Sequence, residues 1–228
     1  MATTLTVTLF LFAVLASAQT PERPARSPTM AVYPVTSLPL SLEQIEERTR
    51  TLPDGRSDTE VIKWTVYRDS AGRIRTETSM PGPSWESYVS AHIVDPVAGS
   101  VVVLLVSEKL AVRNQMPESQ AQSYRVATRK ERLPKEKWAK GTEDLGTRMI
   151  DGIEAFGTRF TPSSEGHTPI FITQESWWSV DLQLKVSETT TRTNGKDVAK
   201  IQNLVRGEPD PALFKIPSGY TIQEMPLR

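Results

Sequence analysis

The stretch Trp177–Val205 constrains the fold of this chain more than any other. It contains two strand-like runs joined by Thr193-Asn194-Gly195-Lys196. Asn-Gly between alternating apolar residues signals a β-hairpin, because a type I′ turn needs positive φ at both central residues. Alternation along the first run puts Trp178, Val180, Leu182, Leu184 and Val186 on one face. Trp177, Ser179, Asp181, Gln183 and Lys185 fall on the other. A two-residue loop at Asn194-Gly195 sets Leu184 opposite Val205 and Arg192 opposite Asp197, with Glu188 facing Ile201 as the one mismatch. The expected element is antiparallel, with one dry face.

Similar signals recur along the chain. Ile62, Trp64 and Val66 alternate with Lys63, Thr65 and Tyr67, and Asp69-Ser70-Ala71-Gly72 fits a type I turn into Arg73–Thr78. Tyr88–Asp95 and Val101–Val106 flank Pro96–Ser100. The second of these runs is apolar at every position, which predicts cover on both faces. Asp151-Gly152 is a two-residue turn that pairs Ile150 with Ile153, Thr147 with Phe156 and Gly146 with Gly157. Thr168–Ser176 reads as a further strand. Asp210 can cap one helical turn ending at Phe214, with Pro211 at its first position. Ser41–Leu52 reads as a short helix capped by Ser41 followed by a polar strand, and Pro117–Gly141 as a charged loop or short helix.

These elements predict an all-β protein with minor α: a curved antiparallel meander of about nine to eleven strands and one or two short helices. A single sheet that long must curl or split, so an open or half β-barrel is expected, curled around Trp64, Val66, Leu182, Leu184 and Phe214.

The N-terminus sets the expected compartment. Leu5–Ala16 is apolar and leads into Ala16-Ser17-Ala18, an A-x-A cleavage pattern before Gln19. A signal peptide over 1–18, cleaved between Ala18 and Gln19, predicts a secreted or periplasmic protein. The run is shorter than the roughly 20 residues that a spanning helix needs, so no transmembrane segment is expected after its removal. Residues 19–38 carry Pro21, Pro24, Pro28 and Pro34 and read as a flexible lead-in, leaving 39–228 as one β domain. The 27 basic and 27 acidic residues balance, which argues against nucleic acid as a partner. The chain has no cysteine, which excludes disulfides, thiolate metal sites and cysteine nucleophiles.

The catalytic inventory is thin. His92 and His167 are the only histidines, and neither has a supporting ligand at a metal-site spacing. Glu46-Glu47 and Glu143-Asp144 are adjacent along strands, hence on opposite faces, and read as surface charge. No catalytic residue, metal site or cofactor is expected. If Trp178 is core, Trp177 is left on the polar face, where an exposed ring can mark a partner contact.

Four segments together resemble a group of uncharacterised bacterial secreted proteins: Tyr67–Arg75, Ile93–Gly99, Leu145–Ile153 and Asn203–Phe214. The resemblance covers roughly residues 42–225. More distantly, through strand order, the closing Asp210-Pro211-x-x-Phe214 and Pro217-x-Gly219-Tyr220, the chain is similar to the half-barrel superfamily of periplasmic lipoprotein carriers and the envelope-stress sensor that binds lipoproteins. That resemblance implies a curved antiparallel sheet whose concave face takes acyl chains under covering helices. This sequence has little helix for such a lid, and no binding residue carries over.

The expected function is an exported, non-enzymatic envelope protein binding an apolar ligand, lipid or lipoprotein-like, at Trp64, Val66, Leu182, Leu184 and Phe214. The alternatives are a structural or protein-interaction module that uses Trp177, partnered by another envelope protein, and an unrecognised hydrolase.

Overall fold

The computed structural model describes residues 30–80, 88–125, 138–162 and 172–225. The expected signal peptide and its cleavage site at Ala18 and Gln19 lie outside the described residues, as do His167 and residues 126–137 of the charged segment. Twelve strands form one open sheet that does not close into a barrel. They are β1 (Leu40–Thr51), β2 (Ser57–Arg68), β3 (Ile74–Met80), β4 (Tyr88–Asp95), β5 (Ser100–Leu105), β6 (Leu110–Gln115), β7 (Thr142–Ile150), β8 (Ile153–Phe160), β9 (Thr173–Ser179), β10 (Leu184–Arg192), β11 (Gly195–Arg206) and β12 (Thr221–Met225). Among the described residues, one eight-residue helix, α1 (Glu118–Arg125), follows β6, and one 3-10 turn covers Pro211–Phe214.

Strands β1 to β6 form one meander and β7 to β11 another. They join through an antiparallel ladder between β1 and β11, running from Leu40 opposite Arg206 to Arg50 opposite Gly195. At the far edge, β12 returns beside β6, Thr221 opposite Leu110, as the one parallel pair among the described residues.

Three of the expected hairpins form as read. Asp69–Gly72 turns β2 into β3, with the Gly72 N–H donating to the Asp69 carbonyl at 3.1 Å. Pro96–Gly99 joins β4 to β5. Asp151 and Gly152 both have positive φ, 48° and 77°, and the ladder sets Ile150 opposite Ile153, Thr147 opposite Phe156 and Gly146 opposite Gly157. Asp210 accepts from the Ala212 N–H at 2.8 Å and caps the turn that ends at Phe214.

The opening hairpin differs in two ways. Arg192 pairs with Gly195, so the loop is Thr193-Asn194, and Glu188 lies opposite Ala199. Gly195 also pairs with Arg50 of β1, where a Cβ would fall 2.0 Å from the Thr49 carbonyl oxygen. The glycine serves the close approach of a third strand, and its φ lies outside the left-handed region. Arg192 still reaches the Asp197 carboxylate diagonally, at 3.0 Å.

The second difference is a turn at Val180–Gln183, with Gln183 at φ 56°, which breaks the expected single run into β9 and β10. The alternation loses its phase there. Trp177 and Ser179 are buried, and Trp178 is the half-exposed ring. Ser41–Thr51 is strand throughout, and Leu52 lies just beyond it; burial alternates with period two from Leu40 to Glu46, with Gln44 and Glu46 at buried positions.

The sheet carries two cores on opposite faces. The principal one holds Trp64, Val66, Leu182, Leu184 and Trp177, together with Met30. Residues 30–38, the end of the Pro-rich segment, lie against it: the Met30 carbonyl accepts from Gln44 Nε2 at 2.8 Å, and Ser37 N–H donates to the Ser70 carbonyl. The second core lies on the other face of β4–β6, where Ala91, Ile93, Val102, Leu104 and Ala111 are covered in part by Ile216 and Tyr220. Arg75 Nη1, donating to the Leu213 carbonyl at 2.9 Å, ties the C-terminal segment to that face.

Gly195→Ala is expected to destabilise the chain by about 1–3 kcal/mol through the clash with β1. Trp64→Ala, at a position 1% exposed, is expected to cost about 3–5 kcal/mol. Both are read from urea unfolding midpoints; an unchanged midpoint for Gly195→Ala would remove the close-approach argument.

Candidate ligand-binding site

Of the five residues expected to meet a ligand, four come together. Trp64, Val66, Leu182 and Leu184 sit in the principal core, each 2% exposed or less. Phe214 is placed apart from them, with the Arg73 guanidinium 5.1 Å above its ring. It borders a 520 Å³ cleft between the second face of β4–β6 and the C-terminal segment, lined by Ile93, Val102, Arg113 and Ile222 among others. Arg113 is already paired across that cleft's edge with Glu224, at 3.0 Å.

Trp177, expected as an exposed contact, is an interior ring. It is 5% exposed, its Nε1–H donates to Glu175 at 2.8 Å, and the Arg148 guanidinium lies 3.7 Å from its ring centroid. Gly157 makes room for it, since a Cβ there would fall 2.6 Å from the indole. The reversal follows from the Val180–Gln183 turn.

The middle of the same sheet face carries buried charge. Glu46, expected at the surface, is 1% exposed and pairs with Arg48 Nε at 2.5 Å. Glu188 is buried beside Lys185 and accepts from the Ser176 hydroxyl at 2.9 Å. Burial raises the Asp197 pKa, but hydrogen bonds and charge from Arg50 and Arg192 outweigh it and leave the carboxyl below its ordinary value. Burial lowers the His92 pKa, so it sits on its strand as a neutral imidazole near neutral pH. Among the described residues, no three His, Cys, Asp or Glu side chains come together as a metal-sized group.

One opening reaches the end of the principal core. A pocket of 380 Å³ is lined by Ser37, Leu38, Pro39 and Leu40 on one side, Arg206 and Gly207 on another, with Leu182 and Arg68. Two chain crossings shape it: the entry to β1 and the exit from β11, joined by the Gly207 N–H donating to the Pro39 carbonyl. Arg68 ends β2 opposite Leu40. It is fully covered and donates Nε to the Leu38 carbonyl at 2.9 Å, Nη2 to the Leu182 carbonyl at 2.8 Å and Nη1 to the Tyr33 carbonyl at 3.3 Å. Among the described residues no carboxylate pairs with it. Burial alone lowers its pKa to about 10, so the guanidinium keeps its charge at neutral pH. Sequence reasoning passed over Arg68 because it ends a strand just before a turn, where an arginine reads as solvated.

No family model matches the sequence, and no curated protein does. Among solved structures, the chain is similar to an uncharacterized conserved protein from Thermus thermophilus at 14% identity, covering 83% of this chain and 91% of that one, with a TM-score of 0.48. It is also similar to a LolA superfamily protein from Nitrosomonas europaea (12% identity, 78% and 90% covered, TM-score 0.33). A third likeness is to LprF from Mycobacterium bovis (13% identity, 81% and 91% covered, TM-score 0.35). Nothing about a ligand follows for this chain from likenesses at this level.

The lowered Asp197 pKa fixes a sign for acid stability. Its contribution is complete above the ordinary carboxyl value of about 4 and is lost as pH falls through the lower folded value. Asp197→Asn is therefore expected to flatten the acid limb of the melting-temperature profile below about pH 4. Superimposable acid limbs for the two proteins would show that the Arg50–Asp197–Arg192 group contributes nothing.

Proposed function

We propose that this protein is a non-enzymatic, exported binding protein of the cell envelope. It holds an apolar ligand, a lipid or an acylated protein, at the end of its principal core. The observation that carries this reading is the 380 Å³ pocket opening onto Leu40 and Leu182, within the range of volumes that small-molecule sites occupy. Its walls are aliphatic apart from Ser37, Gly207 and two arginines, a surface suited to gripping a chain. Trp64, Val66 and Leu184 form the apolar layer behind Leu182, which would border a ligand that enters further. The apolar run Leu5–Ala16 with its A-x-A end supports export, and the absence of cysteine fits it. The single β domain 39–228 is the binding unit in this reading, with Ser37 and Leu38 of the preceding segment adding to one wall of its site.

Native mass spectrometry of the full chain purified from its own envelope fraction is expected to show a bound lipid on part of the population. The same protein, delipidated, is expected to enhance the fluorescence of the neutral apolar dye N-phenyl-1-naphthylamine. A chain with no lipid and no dye uptake would end this reading.

A further inference from the structure

The charge of Arg68 identifies what kind of ligand end the pocket suits; the inference rests on the proposed use of that pocket. A guanidinium has five N–H donors, and the three bonds made by Arg68 all go to carbonyl oxygens, which are dipoles without net charge. Covering an ion without an opposite charge is costly, and neighbouring carboxylates usually remove that cost. Here they are committed elsewhere. Asp69, the next residue, is buried against Arg73, and Glu208 accepts from the Ser70 N–H.

The uncompensated charge adjoins the pocket. Leu38 and Leu182, whose carbonyls receive two of the Arg68 bonds, are themselves pocket walls. A second arginine, Arg206, is exposed and lines the same pocket, with no ion pair among the described residues. Two positive charges and no negative one therefore border an aliphatic hollow. In surroundings of lowered dielectric, such an arrangement favours an anion over a neutral group of the same size.

We propose that the pocket takes the anionic head of a single-chain amphiphile, with Arg206 contacting the head and Arg68 acting as a fixed positive charge behind the wall. The acyl chain lies along Leu38 and Pro39, with the buried Leu40 and Leu182 beneath them. Both a carboxylate and a phosphate monoester satisfy that chemistry.

The test titrates the delipidated full chain at pH 8 with dodecanoate, dodecyl phosphate, dodecanol and acetate. All are kept below any micelle concentration and followed by calorimetry. The two anionic amphiphiles are expected to bind at least about tenfold more tightly than dodecanol, the effect of one charge-assisted hydrogen bond, and acetate not at all in the same range. Arg206→Gln is expected to reduce that preference several-fold with an unchanged melting temperature, and Arg68→Met to reduce it further. If Arg68→Met does not fold, the Arg206→Gln comparison decides. Equal binding of dodecanoate and dodecanol would overturn head-group recognition and leave the apolar pocket standing. Acetate binding as tightly as dodecanoate would overturn the amphiphile. An anion preference untouched by Arg206→Gln would put the head elsewhere and overturn the assignment. Failure of all four to bind would remove the proposed function as well.

Discussion

The ladder between β1 and β11 is the constraint on which the rest of the sheet depends. Each meander alone could form from local turns, but only this pairing makes them one sheet and places Trp64 and Leu184 in one core. It also fixes the pocket, whose two sides are the residues entering β1 and leaving β11. The ladder is demanding at one end, where Gly195 and Thr49 approach too closely for any side chain. Along its middle it buries Gln44, Glu46 and Asp197 rather than aliphatic groups. Buried ion pairs add little net stability, yet breaking one is expensive, so the belt penalises any other register of the two strands.

Local turn chemistry made much of the fold legible. Asp151-Gly152 specified its hairpin down to facing glycines because its turn is exposed and, among the described residues, pairs with no third strand. Asn194-Gly195 carried the same signal and gave the wrong register. There the glycine answers to a neighbouring strand more than 140 residues away, a demand that local sequence does not display. The Trp177-Trp178 phase failed for a related reason. Gln183 adopts a left-handed conformation that no glycine or asparagine announces, and one such residue is enough to exchange the faces of a run.

Neither strand β6 nor the pairing of β12 was legible. Leu110–Gln115 carries a single clear apolar alternation, and the turn before it is made by Lys109 at φ 48°. Parallel pairing of β12 with β6 is a tertiary fact with no local periodicity to betray it. The candidate site was half legible. Leu182 was found from alternation, whereas Arg68 and the wall at residues 37–40 acquire meaning only once the chain entry lies over the end of β2. Phe214 was read into the same layer because the sequence does not reveal that the C-terminal segment crosses to the opposite face.

The joining of the meanders has a consequence for how the molecule is reached during folding. Glu43 hydrogen-bonds to Gln202, 159 positions later, so the central seam cannot zip until almost the whole chain is available. Contacts of such separation slow folding, because closure entropy is spent before any of them is rewarded. Until then two inner strand edges stand unpaired in one molecule, each able to recruit a foreign strand. A chain built this way has most need of a holding partner in the interval between synthesis and seam closure. If it is exported, that interval includes the crossing itself.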